Sequence, residues 1–597
     1  MVESPFAARI AALRQVMDIH AVQACVVLSA DPHLSEYLPD HWAARAWLSG
    51  FEGSAGSLVI THSFAGLWTD SRYWEQADAD LEGSGIQTMR AGSEGVLSPP
   101  DWLAQNLPEG ARVVVDGNTL SLSSLWQWQA FLKPRKINLL TDPDLIGEVW
   151  EGRPGLPKAA VYEHVSPYAC RSRPDNIRQV REQMRKQGAQ WHWLSSLDDI
   201  AWLLNLRGSD VQFNPVFMAH VLVGLDEVRL FVDLAKVNSS LVEALARDHV
   251  RVEPYEAIGG ALACLPDSQA LLFDPARVTV KHLAAAAFVR HIEGDNPSWL
   301  LKARKTPEEI AHIRHTMALD GAALCEFFAW FESALGKERI TELTIDEKIT
   351  AARARQPGFV SPSFSTIAAF NANGAMPHYH ATQQAHAVIE GDGLLLIDSG
   401  GQYPGGTTDI TRVVPVGNPS SEQMRDYTMV LRGMIALSQA HFPKGIMSPL
   451  LDPIARAPLW QAGIEFGHGT GHGVGYFLNV HEGPQSISYR TPVKASMAME
   501  TGMITSNEPG VYRSGRWGVR IENLVVCQPA ERTEFGEFLQ FETLTLCPID
   551  TRCIAVELMS ASDIAWLDAY HAKVRQTLLP LVDGQAKEWL VRRTQPL

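Results

Sequence analysis

The sequence predicts two consecutive α/β modules followed by a larger α+β module, and three observations predict it. Apolar strand-like runs alternate with helical stretches in the part ahead of Lys302. A strongly signalled helix start at Thr306–Glu309 then opens a region of different texture. From Phe364 onward that region turns to short strands separated by Gly-rich turns. A chain of 597 residues leaves room for three or four domains at the usual ~150 residues each.

The first module is expected over 1–153. Ala7 to Met17 reads as an amphipathic helix with Ile10, Leu13 and Val16/Met17 on one face, and AVQACVVLSA as a buried strand. SLVIT, AGLWTD, VVVDG and INLLTDP continue the strand pattern, with WLSGFEGSAG as a turn-rich stretch. EGRPGLPK reads as a linker. The second module, over 154–304, opens with the charged helix DNIRQVREQMRKQGA. WHWLSSLDDIAWLLNLRG, FMAHVLVG, VRLFVDL, EAIGGALACL, ALLFDP and VKHLAAAAFVRHI then repeat strand and helix signals. Two adjacent modules of similar size suggest a duplicated fold, although no sequence repeat is visible.

The third module is expected over 305–530. Thr306 as N-cap, Pro307 at the first helical position and Glu309 three residues after the cap predict a helix start. Ile310, Ile313, Met317 and Leu324 follow at helical spacing, and Gly321 on the same face predicts close packing of a neighbour. One further helix is expected from about Ser421 to His441, with Met424, Tyr427, Leu431 and Met434 on its apolar face. The rest, 531–597, is too long to be fraying and is a candidate cover for a subunit interface.

Composition narrows the function class. Lys plus Arg number 51 against 67 Asp plus Glu, a net charge of -16, and no basic cluster is present to neutralise phosphates, so nucleic acid is not an expected partner. Seven scattered cysteines lack metal-type spacing and fit free thiols in a reducing compartment. The N-terminus has an early Glu3 and no basic stretch ahead of an apolar one, so no signal peptide is expected. No apolar run approaches the ~18 residues that span a membrane. A cytoplasmic protein with no membrane partner is the expectation.

Five residues carry the chemistry. Asp398 lies in LLLIDSG, Asp409 in GGTTDITR, His472 in GHGTGHGVG, Glu508 in SNEPGVY and Glu522 in VRIENLVV. Hard oxygen donors with one imidazole suit two divalent ions of the manganese, cobalt or zinc type, and suit a structural zinc poorly. Asp398 and Asp409 stand on two strand-like runs that GGQYPGG can fold side by side, bringing both carboxylates to one face. The glycines around His468 and His472 argue for an extended segment rather than a helix. Pro509-Gly510 fixes a turn after Glu508, and alternation sets Glu522 opposite Ile521. A buried ionised Glu522 costs several kcal/mol unless it is paired or coordinated; the alternative is a solvated strand face. His378 in PHYH and His481 in NVHEGP add proton-transfer candidates.

These motifs resemble those of aminopeptidase P, the Xaa-Pro aminopeptidases of the pita-bread metallopeptidase superfamily, in the long three-domain cytosolic form. The resemblance rests on SEYLP, WLSGFEGSAG and LWTDSRYWEQA in the first module and LDDIAWLLNLRGSDVQFNPVF in the second. In the third it rests on SPSFSTI, IDSGGQYPGGTTDITR, GHGTGHGVGYFLNVHEGP, SNEPGVY and IEN. It implies two creatinase-N-like α/β domains ahead of a pita-bread catalytic domain. It implies two metal ions, commonly Mn2+ with Co2+ or Zn2+ as alternatives, held by Asp398, Asp409, His472, Glu508 and Glu522, with Asp409 and Glu522 bridging. His378, His468 and His481 match active-site histidines, and Arg72 in WTDSRY matches an arginine that contacts peptide. His380 is a departure from the relatives' pattern. The tail matches a region implicated in dimer contacts, so a homodimer is implied.

The implied reaction removes one N-terminal residue from a peptide with proline at the second position, by a hydroxide bridging the two metals. The Xaa-Pro bond is a tertiary amide whose ring blocks the geometry ordinary peptidases need. Glu508 is expected as general base and proton carrier, with His378 and His481 at the oxyanion. The alternatives are an Xaa-Pro dipeptidase (prolidase), opposed by the second module and the tail, and a non-catalytic pita-bread binding protein, opposed by the intact ligand set. Methionine aminopeptidases lack both N-terminal modules, and creatinase lacks the metals.

Overall fold

The computed structural model describes residues 4–597, so Glu3 lies outside the described residues. The chain forms two compact units, one of 1–165 with 171–298 and one of 166–170 with 299–597.

The first unit contains two six-stranded sheets. In one, Ala24–Leu28 pairs antiparallel with Ser57–Thr61, which pairs antiparallel with Ala65–Thr69. Parallel strands then extend both sides, Gln87–Arg90 beyond Ala65–Thr69, and Arg112–Val115 with Asn138–Leu140 beyond Ala24–Leu28. Numbered within the module, the order is 4-3-2-1-5-6. The second sheet repeats it: Trp191–Leu194, Ala219–Gly224 and Val228–Val232 form the antiparallel centre. Val250–Pro254, Ala270–Phe273 and Arg290–Glu293 add in parallel at the same places. Both central strands are buried from end to end or nearly so, as strands covered on two faces must be. The helix Pro5–Ile19 buries Ile10, Leu13 and Met17 against the first sheet. WLSGFEGSAG is less irregular than expected, since Ala44–Ser49 is a short helix ending at a left-handed Gly50.

The second unit opens its main helix, Pro307–Ala334, with a complete capping box between Thr306 and Glu309. At Gly321 a neighbour comes close, as expected: a Cβ there would stand 2.2 Å from the Leu546 carbonyl oxygen. The three-stranded sheet Ile367–Phe370, Gly393–Ser399 and Ile410–Val416 lies in the same apolar core as this helix and the helix Ser421–Ser438. The latter helix ends earlier than expected, because His441–Pro443 joins a second sheet beside Gly536–Thr543. Met424 is only half-buried, whereas Tyr427, Leu431 and Met434 lie in the core. The helix Asp452–Gln461 was not expected; Pro453 lies in its first turn and Pro458 inside it. The final segment holds the helices Ala561–Leu578 and Gly584–Arg593, whose Leu567, Val574, Leu578 and Leu590 enter the main core. Among the described residues no helix is long and apolar enough to cross a membrane.

Candidate metal centre

The strand pair Gly393–Ser399 and Ile410–Val416 sets Asp398 opposite Thr411, and Asp409 immediately precedes the second strand. Both carboxylates therefore stand at one end of one pair. The stretch between them is more than a connection, for Gln402 pairs with Thr407 and Tyr403 with Gly406 in a small hairpin of its own.

His472 comes in on an extended segment, Gly471–His472, paired with Ser486–Ile487. Glycine is required on both sides of it. A Cβ on Gly471 would stand 2.0 Å from the Ser506 oxygen, and one on Gly473 1.9 Å from the Glu482 oxygen. The His472 Nδ1–H donates to the Gly473 carbonyl at 2.9 Å, which turns Nε2 toward the acids as the nitrogen that becomes a ligand when a cation displaces its proton. That Nε2 lies 3.5 Å from Asp409 Oδ2 and 3.4 Å from Glu508 Oε1.

Glu508 directly follows the strand Ile504–Asn507, and its N–H donates to Thr470 at 2.8 Å. The Ser506 hydroxyl donates to its Oε1 at 3.1 Å and accepts the His472 N–H at 2.9 Å. Glu522 lies between two strands and is 1% exposed, so the solvated-face alternative does not hold. Its N–H donates to the Thr411 carbonyl at 3.2 Å, and the Thr411 hydroxyl donates to its Oε2 at 2.8 Å. Asp409, His472 and Glu522 each offer a ligand atom within 4.8 Å of the others, the one such group among the described residues.

One guanidinium answers this crowd of acids. Arg520 donates to Asp398 Oδ2 at 2.6 Å, to the Thr411 hydroxyl at 3.2 Å and to the Tyr512 hydroxyl at 2.7 Å. It does not suffice. Burial pushes Asp398 up to about 6, with Arg520 opposing and Asp409 adding to the rise. Burial pushes Glu508 up to about 7 against His472 and Arg520, and Glu522 rises from burial and the carboxylates of Asp409, Glu508 and Asp398. Burial alone would lower His472, yet the hydrogen bond to Asp409 and the charge of Glu508 raise it to about 9. Asp398 Oδ1 and Glu522 Oε1 are buried with no hydrogen-bond partner. Unpaired buried oxygens among mutually repelling carboxylates fit a site for divalent cations, which supply the missing positive charge and bonds.

The histidines divide. The His481 ring meets the His472 ring edge to face at 4.4 Å. His468 Nδ1–H donates to the Gly469 carbonyl at 2.7 Å, and its Nε2 accepts from the Tyr512 hydroxyl at 2.7 Å. His378 is half-buried on a separate turn after Asn371–Ala375. Glu342 holds that loop from beneath, accepting from the Phe370 N–H at 2.7 Å, the Tyr379 hydroxyl at 2.8 Å and the Ala387 N–H at 2.6 Å. His380 is exposed and bonded to Ser365 at 3.0 Å. Arg72 belongs to the first unit, where its Nε and Nη2 each lie 2.8 Å from Asp70. Sequence reasoning missed Arg520, Tyr512, Thr411 and Glu342. The alternation that placed Glu522 puts Arg520 on the same face and was the available signal; Tyr512 and Thr411 lie inside SNEPGVY and GGTTDITR, motifs already singled out, and Glu342 had no signal.

The chain is 40% identical over 608 residues to a probable Xaa-Pro aminopeptidase P of Laccaria bicolor, covering 99% of this chain and 93% of that protein. The chain belongs to the Xaa-Pro aminopeptidase P family. The family's models divide it into a creatinase/prolidase N-terminal domain at 9–141, another at 152–309, metallopeptidase family M24 at 311–529 and the C-terminal region of peptidase M24 at 537–597. The Drosophila melanogaster Xaa-Pro aminopeptidase ApepP is 36% identical, with 98% of this chain and 97% of that protein covered. An X-prolyl aminopeptidase from Caenorhabditis elegans, described as a cytosolic enzyme with a di-nuclear active site, superposes with a TM-score of 0.94 at 30% identity, with 100% of both chains covered. An Xaa-Pro dipeptidase from Bacillus anthracis shares the fold over 64% of this chain and 99% of its own, at 23% identity and a TM-score of 0.51.

Proposed function

We propose that this aminopeptidase P family member hydrolyses the bond between an N-terminal residue and a following proline, using two divalent ions held by Asp398, Asp409, His472, Glu508 and Glu522. The observation that carries the reading is the convergence of Asp409, His472 and Glu522 within 4.8 Å beside buried oxygens that lack partners. Full-length likeness to Xaa-Pro aminopeptidases supports the aminopeptidase over the dipeptidase reading. Mn2+ is the proposed ion, with Co2+ and Zn2+ as alternatives the same donors accept. We further propose a cytoplasmic homodimer with the domain divisions 1–153, 154–304, 305–530 and 531–597.

Divalent metal, when bound, acidifies water and polarises the scissile carbonyl. Glu508 accepts the proton of the attacking water and delivers it to the proline nitrogen as the C–N bond breaks, so that a secondary amine leaves. His378 and His481 donate to the oxygen that gains negative charge, and His468 takes part in proton transfer. The free α-amino group of the peptide pairs with the excess of carboxylates, which limits cleavage to one residue, and Arg72 contacts the peptide.

The test uses chelator-stripped protein with and without Mn2+, the tripeptide Arg-Pro-Pro, and the dipeptide Arg-Pro alongside. Release of free arginine from the tripeptide that requires Mn2+ and disappears in Glu508→Ala supports the proposal. Activity on the dipeptide alone replaces it with the prolidase reading. No release with any divalent ion overturns it.

A further inference from the structure

The strand Ile410–Val416 points alternate side chains to opposite sides. Thr411 faces the ligands, bonded to Glu522 and Arg520. Arg412 faces away from them, and what it meets comes almost entirely from the C-terminal segment and from Glu522 and Asn523. Its Nη1 donates to the Glu522 carbonyl at 2.7 Å and the Thr411 carbonyl at 2.9 Å. Its Nη2 donates to Asn523 Oδ1 and the Cys547 carbonyl, both at 2.8 Å, and to the Tyr570 hydroxyl at 3.0 Å. Its Nε donates to the Pro548 carbonyl at 3.1 Å. Tyr570 donates in turn to the Thr545 or Cys547 carbonyl, at 3.1 and 2.9 Å. The Thr545 hydroxyl accepts the Leu524 N–H at 2.7 Å, two residues from Glu522. Arg412, Asn523, Thr545 and Tyr570 are all buried.

We infer that Thr545–Ile549 and Tyr570 form part of the frame of the metal centre, acting through Arg412 as positioning residues that set the spacing of Asp409 and Glu522. This rests on the reading of those two acids as metal ligands. The physical reason is direct. A guanidinium is a rigid fork with fixed donor directions. Here it joins the strand that follows Asp409 to the backbone of Glu522, and its remaining donors are met by carbonyls and a hydroxyl far along the chain. Its five N–H groups share six acceptors, and the Tyr570 hydroxyl is the one that links Nη2 onward to the Thr545 and Cys547 carbonyls. Without it the carbonyl it donates to is left unpaired and the fork turns or pulls water in. Partners that orient ligands in this way typically alter metal affinity by 10–100-fold when removed.

The test is Tyr570→Phe in the full-length protein, which deletes one hydroxyl from the frame and touches no ligand. Mn2+ is titrated into chelator-stripped wild type and variant, and the visible absorption of the Co2+-loaded forms reports ligand geometry. The expected result is a native circular dichroism spectrum, Mn2+ affinity lowered about tenfold or more and a changed Co2+ spectrum. Glu332→Gln serves as the control. Glu332 accepts from Trp589 and Arg593, both at 2.8 Å, and from Arg552 at 3.3 Å, and none of its bonds goes to Arg412 or an Arg412 partner, so its loss is expected to lower thermal stability with Mn2+ affinity unchanged. Wild-type affinity and spectrum in folded Tyr570→Phe, or an equal loss of affinity in Glu332→Gln, overturns the inference. Where Tyr570→Phe does not fold, Thr545→Val is read by the same two outcomes. A wild type that takes up no Mn2+ or Co2+ removes the metal reading itself, a separate failure.

Discussion

At Arg520 one side chain holds three neighbours, Asp398, Thr411 and Tyr512. The bonds run on from there. Burial pushes the Tyr512 hydroxyl up to about 12, so it stays protonated and donates to His468 Nε2, while His468 donates to Gly469. Tyr512→Phe breaks this line at one atom. The expected outcome is metal stoichiometry as in wild type with kcat on Xaa-Pro peptides reduced about tenfold to a hundredfold, checked by metal analysis and steady-state kinetics. At this scale the sequence was legible for residues whose chemistry announces itself. Paired acids, a histidine among glycines and a glutamate in an apolar strand are unusual enough to stand out. Glu342 was not legible, because a glutamate at the start of a helix is ordinary, and only the fold shows the Phe370, Tyr379 and Ala387 donors that converge on it.

Elements differ in how far local chemistry decides them. The helix Pro307–Ala334 begins where Thr306, Pro307 and Glu309 say it should, and Thr306→Ala is expected to cost about 1 kcal/mol, measurable as a shift in the urea midpoint. The helix Asp452–Gln461 is held by one bond within the helix and by two from distant partners. Asp452 accepts from Arg456 at 2.8 Å and from the Tyr489 N–H at 2.7 Å, with the Thr470 hydroxyl as a third donor. Pro453 sits at the helix start, where a proline is tolerated, and the cost of Pro458 is offset by tertiary bonds. The segment carrying His472 lies between these cases. Its glycines predicted extension and close approach, while the atoms approached, the Ser506 and Glu482 carbonyls, needed the structure. Gly473→Ala is expected to displace the turn of Glu482 and His481 and to abolish peptide hydrolysis, and a circular dichroism spectrum that stays native separates this from global unfolding.

Over the whole molecule the two sheets of the first unit share one strand order, 4-3-2-1-5-6, without a visible sequence repeat. Strand order follows from apolar patterning and chain connection, which tolerate wide change in residue identity. The same unit buries histidines in neutral form. Burial lowers His192 and His282 to about 4 and holds His33 and His220 below the usual imidazole value. Asp31 and Asp210 oppose the fall at His33, while Lys236 deepens it. The unfolded chain binds protons on these rings below pH ~6.5 that the folded unit refuses, so stability rises with pH. It is fully present above that value and is lost as pH falls toward 4. His192 alone contributes on the order of 3 kcal/mol over that window. The hydrogen-exchange protection factors along Trp191–Leu194 and Ala219–Gly224, taken against the intrinsic rate at each pH, are expected to fall between pH 6.5 and pH 4, and protection that holds constant would refute it. The approach of the Leu546 carbonyl to Gly321 has a consequence in time as well as space. During synthesis the helix Pro307–Ala334 leaves the ribosome long before the segment that covers it, and the five proposed ligands, Asp398 to Glu522, emerge in between. The second unit must wait, with an apolar face uncovered and a dense cluster of charge unbraced, for residues made far later. A chain cut short between Glu522 and Leu546 would carry all five proposed ligands and leave the Gly321 face of that helix uncovered.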